Sequence, residues 1–364
     1  MTAVEMAPPR RVRCPICMDL IDWSLTEYIW MYEEGEQNPE LSWISHLDPV
    51  RQQDLRQQGY QLCPNPSSDT AAHYLPALYG SYGDPLVIGL IGTPGSGKTH
   101  VLTAMITAAL AGLGIPGVAA SSMDFRRHEL FRDRSIRPFA RGIALGSTGT
   151  DVMDYADILL VHGPGGARPV TFFDIAGENQ VQASAGGRAG RFLVGAGGLI
   201  FVHASDDSLD TGVSGTALNA AFGPAIARVR SVPGATKLPA TIALAKSDRL
   251  RYVPPADRWM RRPMENELDA QRMREESRDV YAYLWSKGAT SSLAPFEVFE
   301  RCTLHFVSSS GGDAVLREGA DPKSPDAYEF PRGVRPARVL EPLIAILAMA
   351  GVIDGPEARK VGRP

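Results

Sequence analysis

Three features of the sequence predict an α/β fold, with a mostly parallel sheet, one antiparallel hairpin and flanking helices. The first is the stretch PLVIGLIGTPGSGKTHVLTAMITAAL at 85–110. A β-branched apolar run, Leu86 to Ile91, leads into a glycine-rich turn, after which Val101, Leu102, Met105, Ile106 and Leu110 recur at three- and four-residue steps. That order reads strand, loop, helix. The second is the pair ILLVHG (158–163) and RPVTFFDIAGE (168–178), joined by Pro164, Gly165 and Gly166. Apolar runs this close pair only antiparallel, because a parallel crossover needs a dozen residues or more. The third is a set of later apolar runs of buried-strand type, at 197–205, 240–248 and 303–309, spaced by helix-like segments.

The 364 residues suit one large domain with a smaller appendage. The expected division is an N-terminal zinc-knuckle-like module at 1–80, an α/β domain at 84–352 with an enlarged insert at about 249–300, and a polar tail at 353–364. Hydrophobic residues at 44%, charged residues at 21% and a net charge of -4 are ordinary for a globular protein, and they give no global pull toward nucleic acid or anionic membrane. The N-terminus has no continuous apolar signal core, and Glu341 and Pro342 interrupt the longest apolar stretch, so no membrane span is expected and the reading is cytoplasmic.

Taken from the start, the chain opens with Cys14-Pro-Ile-Cys17, the spacing at which two thiolates face one tetrahedral zinc. Cys63 begins a second half-knuckle whose remaining cysteine position is Pro66. A closed structural site therefore takes His73 as its last ligand, ahead of His46 and Asp69, the latter a poor match for thiolate company. The aromatic cluster from Trp23 to Trp43 contains no Lys or Arg, which argues against an RNA-binding module. Pro76, Gly80, Gly83 and Pro85 mark a boundary before the first long strand.

GTPGSGKT, Gly92 to Thr99, fits the phosphate-loop pattern G-x-x-x-x-G-K-[ST] at every fixed position. Gly92, Pro94, Gly95, Ser96 and Gly97 form the candidate cradle, and His100, in the first turn of the helix after it, is a further candidate nucleotide-binding residue. The glycines let successive N–H groups and the helix N-terminus face an anion, Lys98 reaches the β- and γ-phosphates, and the Thr99 hydroxyl is a magnesium ligand. An arginine-rich segment, Arg126 to Arg141, reads as a solvated, salt-bridged face. The strand ending Phe172-Phe173-Asp174 delivers a carboxylate to the C-terminal edge of the sheet, where it holds magnesium through water, and Gly177 brings its N–H close to a γ-phosphate. Further on, Lys246 offers a stem to lie over a purine, and Asp248 accepts the N1–H and 2-amino group of guanine, donors that adenine lacks in that arrangement. The backbone after TLHFVSS, at Ser309, meets the base carbonyl. A helix at 265–287, with Leu268, Val280, Tyr283 and Leu284 as core or docking residues, and an amphipathic closing helix at 336–353 complete the domain.

The order GTPGSGKT, DIAG, AKSD and SSSGG resembles the P-loop GTPases of the translation-factor-related (TRAFAC) class, and the hairpin just before DIAG fits that class. Within it, the zinc-knuckle N-terminus and the DIAGE ending look like bacterial double-GTPase-type proteins, which are encoded beside partner GTPases and effector modules. The resemblance covers about residues 84–352 and implies a Ras-like P-loop NTPase fold. It implies phosphate contact by Gly95 to Thr99, magnesium at Thr99 and Asp174, and base contact by Lys246 and Asp248. The threonine that senses γ-phosphate and completes the magnesium shell is expected between Arg141 and Ile158, at Thr148 with Thr150 beside it. Two departures stand out. Ala245 replaces the usual Asn or Thr, and Glu178 stands where the Ras type has a water-orienting Gln. A carboxylate there can hold a water but repels a γ-phosphate. The expected activity is therefore GTP binding with magnesium and slow, partner-stimulated hydrolysis to GDP, as a molecular switch in a bacterial multi-protein system. The expected partners are a neighbouring GTPase or effector module, and not nucleic acid. Alternatives are a nucleotide-loaded scaffold that turns over little, or a P-loop ATPase.

Overall fold

The structure, a computed structural model, describes residues 10–33, 36, 38–67, 70–146, 155–174, 192, 195–205, 219–263, 266–324 and 326–362. Strands β1 (Arg10–Arg13) and β2 (Leu20–Trp23) pair antiparallel around the turn that carries Cys14 and Cys17. Next come β3 (Tyr28–Met31), β4 (Glu40–Trp43), helix α1 (Pro49–Gln58), β5 (Tyr60–Leu62) and β6 (Tyr74–Pro76), whose strands form an antiparallel sheet in the order β4-β3-β5-β6. Asp48 starts α1 by accepting the amides of Val50 and Arg51, the role for which a carboxylate suits an N-cap.

The large sheet is built from β7 (Leu86–Ile91), β8 (Ala119–Ser122), β9 (Tyr155–Gly163), β10 (Gly166–Asp174), β11 (Gly198–Ala204), β12 (Ala240–Ala245) and β13 (Cys302–Phe306), in the order β13-β12-β11-β7-β10-β9-β8. The five strands from β13 to β10 run parallel, whereas β9 is antiparallel to both β10 and β8. It is a mixed sheet in an α/β fold. Helix α2 (Lys98–Ala111) follows β7, and α3 (Phe125–Phe131) runs through a π stretch, Arg132–Ile136, into α4 (Arg137–Ala140). Helices α5 (Asn219–Arg230), α6 (Ala256–Met260), α7 (Ala270–Ser286) and α8 (Ala294–Val298) precede β13. A small antiparallel ribbon, β14 (Val315–Leu316) with β15 (Tyr328–Glu329), and helix α9 (Glu341–Met349) come after it.

Strand alternation divides the core into two layers. Leu86, Ile88 and Leu90 pack with α2 and α9 on one face, whereas Val87 and Ile91 share the other with Val12, Cys14, Cys17 and Trp23, so the N-terminal module and the sheet have a common core. Residues of the arginine-rich stretch complete that junction. The Arg126 guanidinium lies 3.9 Å over the Tyr32 ring, and the Tyr60 hydroxyl donates to Asp124 at 2.8 Å. Elsewhere the stretch makes surface ion pairs, Arg132 with Glu129 and Arg137 with Asp133.

Two C-terminal expectations need correction. The closing helix is shorter than 336–353 and is buried all round rather than amphipathic, because residues 353–362 fold back over it instead of trailing as a polar tail. Arg301 fastens them by donating to the carbonyls of Met349, Ala358 and Val361. Helix α7 starts at Ala270, where the Asp269 side chain caps the Arg272 amide at 2.9 Å, rather than at 265. Its Val280, Tyr283 and Leu284 are core residues.

The outer edge of β13 is closed in an unusual way. Its outward amides at Cys302, Leu304 and Phe306 find acceptors in the Gly362 carbonyl at 3.3 Å, the Ser277 hydroxyl at 2.9 Å and the Glu276 carboxylate at 3.0 Å. Unpaired edge amides are templates for another strand, and here side chains of α7 and the folded-back tail cover them. Glu276 is itself buried and also accepts from Arg338 at 2.7 Å, with His305 Nδ1 at 2.8 Å. Burial alone would raise its pKa, but the charges of His305 and Arg338 outweigh that and hold it below the ordinary value.

Candidate functional site

The residues singled out around the glycine loop meet at the C-terminal ends of the parallel strands. The register Val170↔Leu86 to Asp174↔Leu90 sets the end of β10 beside the end of β7, where the loop leaves the sheet. Gly92 is required by space: a Cβ there would stand 2.5 Å from the Val202 carbonyl and 2.7 Å from Ser96 Oγ. Gly95 and Gly97 have φ of 78° and 89°, left-handed values suited to glycine. Gly97 caps α2 without a side-chain bond, leaving the first-turn amides of that helix turned to the loop. Inside this curl, Lys98 Nζ donates to the carbonyls of Gly92 at 2.8 Å and Thr93 at 3.1 Å. Burial lowers its pKa, and the Asp174 carboxylate opposes that shift. Thr99 Oγ1 donates to Asp174 Oδ2 at 2.6 Å, a direct bridge between helix and strand. Ser96 Oγ is fully buried and has no hydrogen-bond partner among the described residues.

His100, expected among the nucleotide-binding residues, has its side chain engaged in a neighbouring corner. Its Nε2 accepts the Leu145 amide at 3.0 Å, and its ring packs edge-on against Phe139 and Phe330 at 5.3 and 5.7 Å. Burial, followed by the nearby Lys246 charge, pushes its pKa down to about 4, so it acts as a neutral acceptor. The ribbon joins the same corner, since Ala144 N donates to Tyr328 O at 2.9 Å and Phe330 N to Gly142 O at 2.6 Å. Thr148, Thr150, Gly177 and Glu178 lie outside the described residues, as does Asp69 of the N-terminal module.

Beyond β12, Lys246 takes a left-handed φ of 56° and its carbonyl accepts from Ser205 Oγ at 2.9 Å. That turn points the chain so that Asp248 is buried and takes a hydrogen bond from Ser308 Oγ at 2.7 Å, while Ser308 Oγ accepts the Gly311 amide at 3.0 Å. Ser309, whose backbone is expected at the base carbonyl, follows Ser308 and is buried as well, and the side-chain contact of Ser308 with Asp248 is one that three consecutive serines do not announce. At Ala245 the connection to β11 is made by backbone, through the Ser205 amide to the Ala245 carbonyl at 3.0 Å. Lys98, Thr99, Asp174, Lys246 and Asp248 therefore line one edge of the sheet, the edge at which open α/β sheets bind ligands.

A second constellation lies in the N-terminal module. Cys14, Cys17, Cys63 and His73 are all buried, and their ligand atoms lie within 4.8 Å of one another. The β1–β2 turn supplies the first two thiols, with Met18 N bonded to Cys14 O and Cys14 N to Asp19 O. The β5–β6 hairpin supplies the others, since Cys63 N donates to the His73 carbonyl at 2.9 Å. His73 Nδ1 faces the Ala71 carbonyl at 2.8 Å, which leaves Nε2 turned to Cys14 Sγ, 3.2 Å away. Cys17 and Cys63 sulfurs are 3.9 Å apart, close to the roughly 3.8 Å at which a tetrahedral ion with bonds of about 2.3 Å would space them. Hydrogen bonds from Cys14 and then Cys17 hold the Cys63 pKa down, to about 4, while burial pushes Cys14 up. Three thiols and an imidazole in this arrangement form a candidate structural metal site.

No helix among the described residues is long and apolar enough to cross a membrane. A comparison with protein-family models finds none that matches the chain, and a comparison with curated proteins finds no match either.

Proposed function

We propose that the chain is a P-loop GTPase of the translation-factor-related class that binds GTP with magnesium at the C-terminal edge of the large sheet and hydrolyses it slowly. The observation that carries this reading is the meeting of Lys98, Thr99 and Asp174 around a glycine loop that runs into the uncapped N-terminus of α2. Lys98 bonds carbonyls of its own loop, contacts that phosphate oxygens replace when a nucleotide enters. The paired Thr99 hydroxyl and Asp174 carboxylate are hard oxygen donors of the type magnesium takes, and Ser96 Oγ supplies a buried hydroxyl with no other use. Bound magnesium would offset charge on the β- and γ-phosphates. Loop amides and Lys98 hold the phosphates and meet charge on the transferring oxygens. Lys246 flanks the purine, and Asp248, held by Ser308, selects guanine. Glu178 orients water and Thr148 senses the γ-phosphate.

Competition against labelled GTP tests the assignment. Unlabelled GTP displaces it and ATP does not, and Asp248→Asn moves the preference toward xanthine nucleotide. Equal displacement by ATP would instead point to a P-loop ATPase. The N-terminal site is proposed to hold structural zinc, because three thiolates and one imidazole suit that ion. Purified protein then carries stoichiometric zinc, and His73→Ala loses it.

A further inference from the structure

Helix α7 turns one face into the core, yet its other face is not spent on the fold. Arg274, Arg278 and Tyr281 stand along that face, above Phe296, Phe299 and Cys302, and line a groove of about 410 Å3. We propose that this groove docks an acidic peptide segment of a protein partner, one that carries a bulky apolar side chain between carboxylates.

Charge is the first argument. Arg274 and Arg278 lie one helical turn apart and make no ion pair among the described residues, and Arg274 Nε is buried without a hydrogen-bond partner. Lys360, at the groove's end, is already paired with Glu357 at 2.5 Å, and Glu300 is the carboxylate on the far rim. Two uncompensated guanidiniums side by side are matched by carboxylates. The apolar floor is the second argument. Phe299 and Cys302 are buried beneath the opening, Tyr281 and Phe296 rings lie 5.5 Å apart, and Trp285 stacks on Tyr281 with 59% of its surface exposed. Aromatic and arginine side chains around a pocket are what peptide anchors use.

Shape favours an extended segment. The lining residues Ala270 to Tyr281 span about 16 Å of helix, the length of about five extended residues. The floor includes the start of β13, whose outward amides at Cys302 and Leu304 already have acceptors, so the guest is read by side chains and not by strand addition. Cys302 opens β13, whereas the candidate nucleotide residues follow the other end of the strands. Docking therefore does not depend on the proposed GTPase reading, and the two succeed or fail separately.

The test is to pan phage-displayed random dodecapeptides on the full chain. Selected sequences are then synthesised with a fluorescent label and titrated by anisotropy. The expected sequences combine Asp or Glu with an aromatic or aliphatic anchor. Their binding weakens with added salt, falls at least about tenfold in Arg274→Glu/Arg278→Glu, and also weakens in Tyr281→Ala. If the charge-reversed protein does not fold, as judged by its thermal transition, Arg274→Gln/Arg278→Gln takes its place with the same expected loss. No selected peptide, peptides without acidic residues, or equal binding by the variant would overturn the proposal. So would binding of a labelled single-stranded RNA dodecamer that the variant abolishes while no peptide is selected.

Discussion

At the scale of single residues, His100 has the most measurable consequence. Its half-buried imidazole packs against Phe139 and Phe330 as a neutral acceptor, with a folded pKa of about 4 against an ordinary 6.5. Between those values the unfolded chain binds a proton that the folded chain does not, so stability is full above pH 6.5 and is lost as pH falls toward 4. His100→Gln keeps an acceptor for the Leu145 amide without the titration. Urea midpoints should then fall less steeply with acid in the variant, by up to roughly 3 kcal/mol across this window. An unchanged acid slope would mean that His100 is protonated at little cost. In the sequence His100 is only the residue after Lys-Thr, since its partners come from 139, 145 and 330, and no local pattern announces them. Asp248 is different, because its place two residues after Lys246 at a strand end is a local signal.

At the scale of elements, α7 shows how a helix can be legible and still surprise. The three- and four-residue steps of Val280, Tyr283 and Leu284 mark its core face, and the structure buries them. Glu276 belongs to a run, Arg-Glu-Glu, that reads as solvent-facing charge. It is buried because its partners His305 and Arg338 arrive from 29 and 62 positions away, a distance over which side-chain patterning carries no information. Glu276→Ala strips an acceptor from the Phe306 amide and removes a carboxylate from Arg338, which keeps Glu341 at 3.1 Å and the Trp259 ring beneath it. Removing one member of a buried pair costs roughly 3–5 kcal/mol, so denaturant unfolding of this variant should show a loss of that order. A loss below about 1 kcal/mol would place the carboxylate in water. The closing helix follows the same logic: its apolar run is visible in the sequence, but the Arg301 clasp that makes it a buried helix is not.

At the scale of the whole molecule, the N-terminal module and the large sheet share a core and should unfold together. Val12, Ile21, Trp23 and Leu75 of the module share one apolar cluster with Val87 and Ile91 of the sheet, and Trp23 packs edge-on against Tyr79 at 6.2 Å within it. Removing a metal from Cys14, Cys17, Cys63 and His73 would let the β1–β2 turn and the β5–β6 hairpin separate, and the disturbance reaches Val87 and Ile91 through that shared core. Chelation should therefore lower the melting temperature of the entire chain in one transition and change tryptophan fluorescence together with it. Two separate transitions would mean that the module melts alone. The ligand set could be read from knuckle spacing plus one histidine. The docking of the module could not, because Tyr60 with Asp124 and Tyr32 with Arg126 are pairings that neither composition nor period encodes.

The covered edge of β13 sets a clock. Amides on the last strand of a sheet ordinarily trade their hydrogens with solvent quickly, whereas Leu304 and Phe306 hand theirs to Ser277 and Glu276. In deuterated water these two positions should label as slowly as amides in the interior of β12, and only when α7 lifts away. Their rate then reports the free energy of that lifting. Mass spectrometry of the peptide spanning 302–306 would read it directly, and labelling within seconds would show that the helix is not holding the strand.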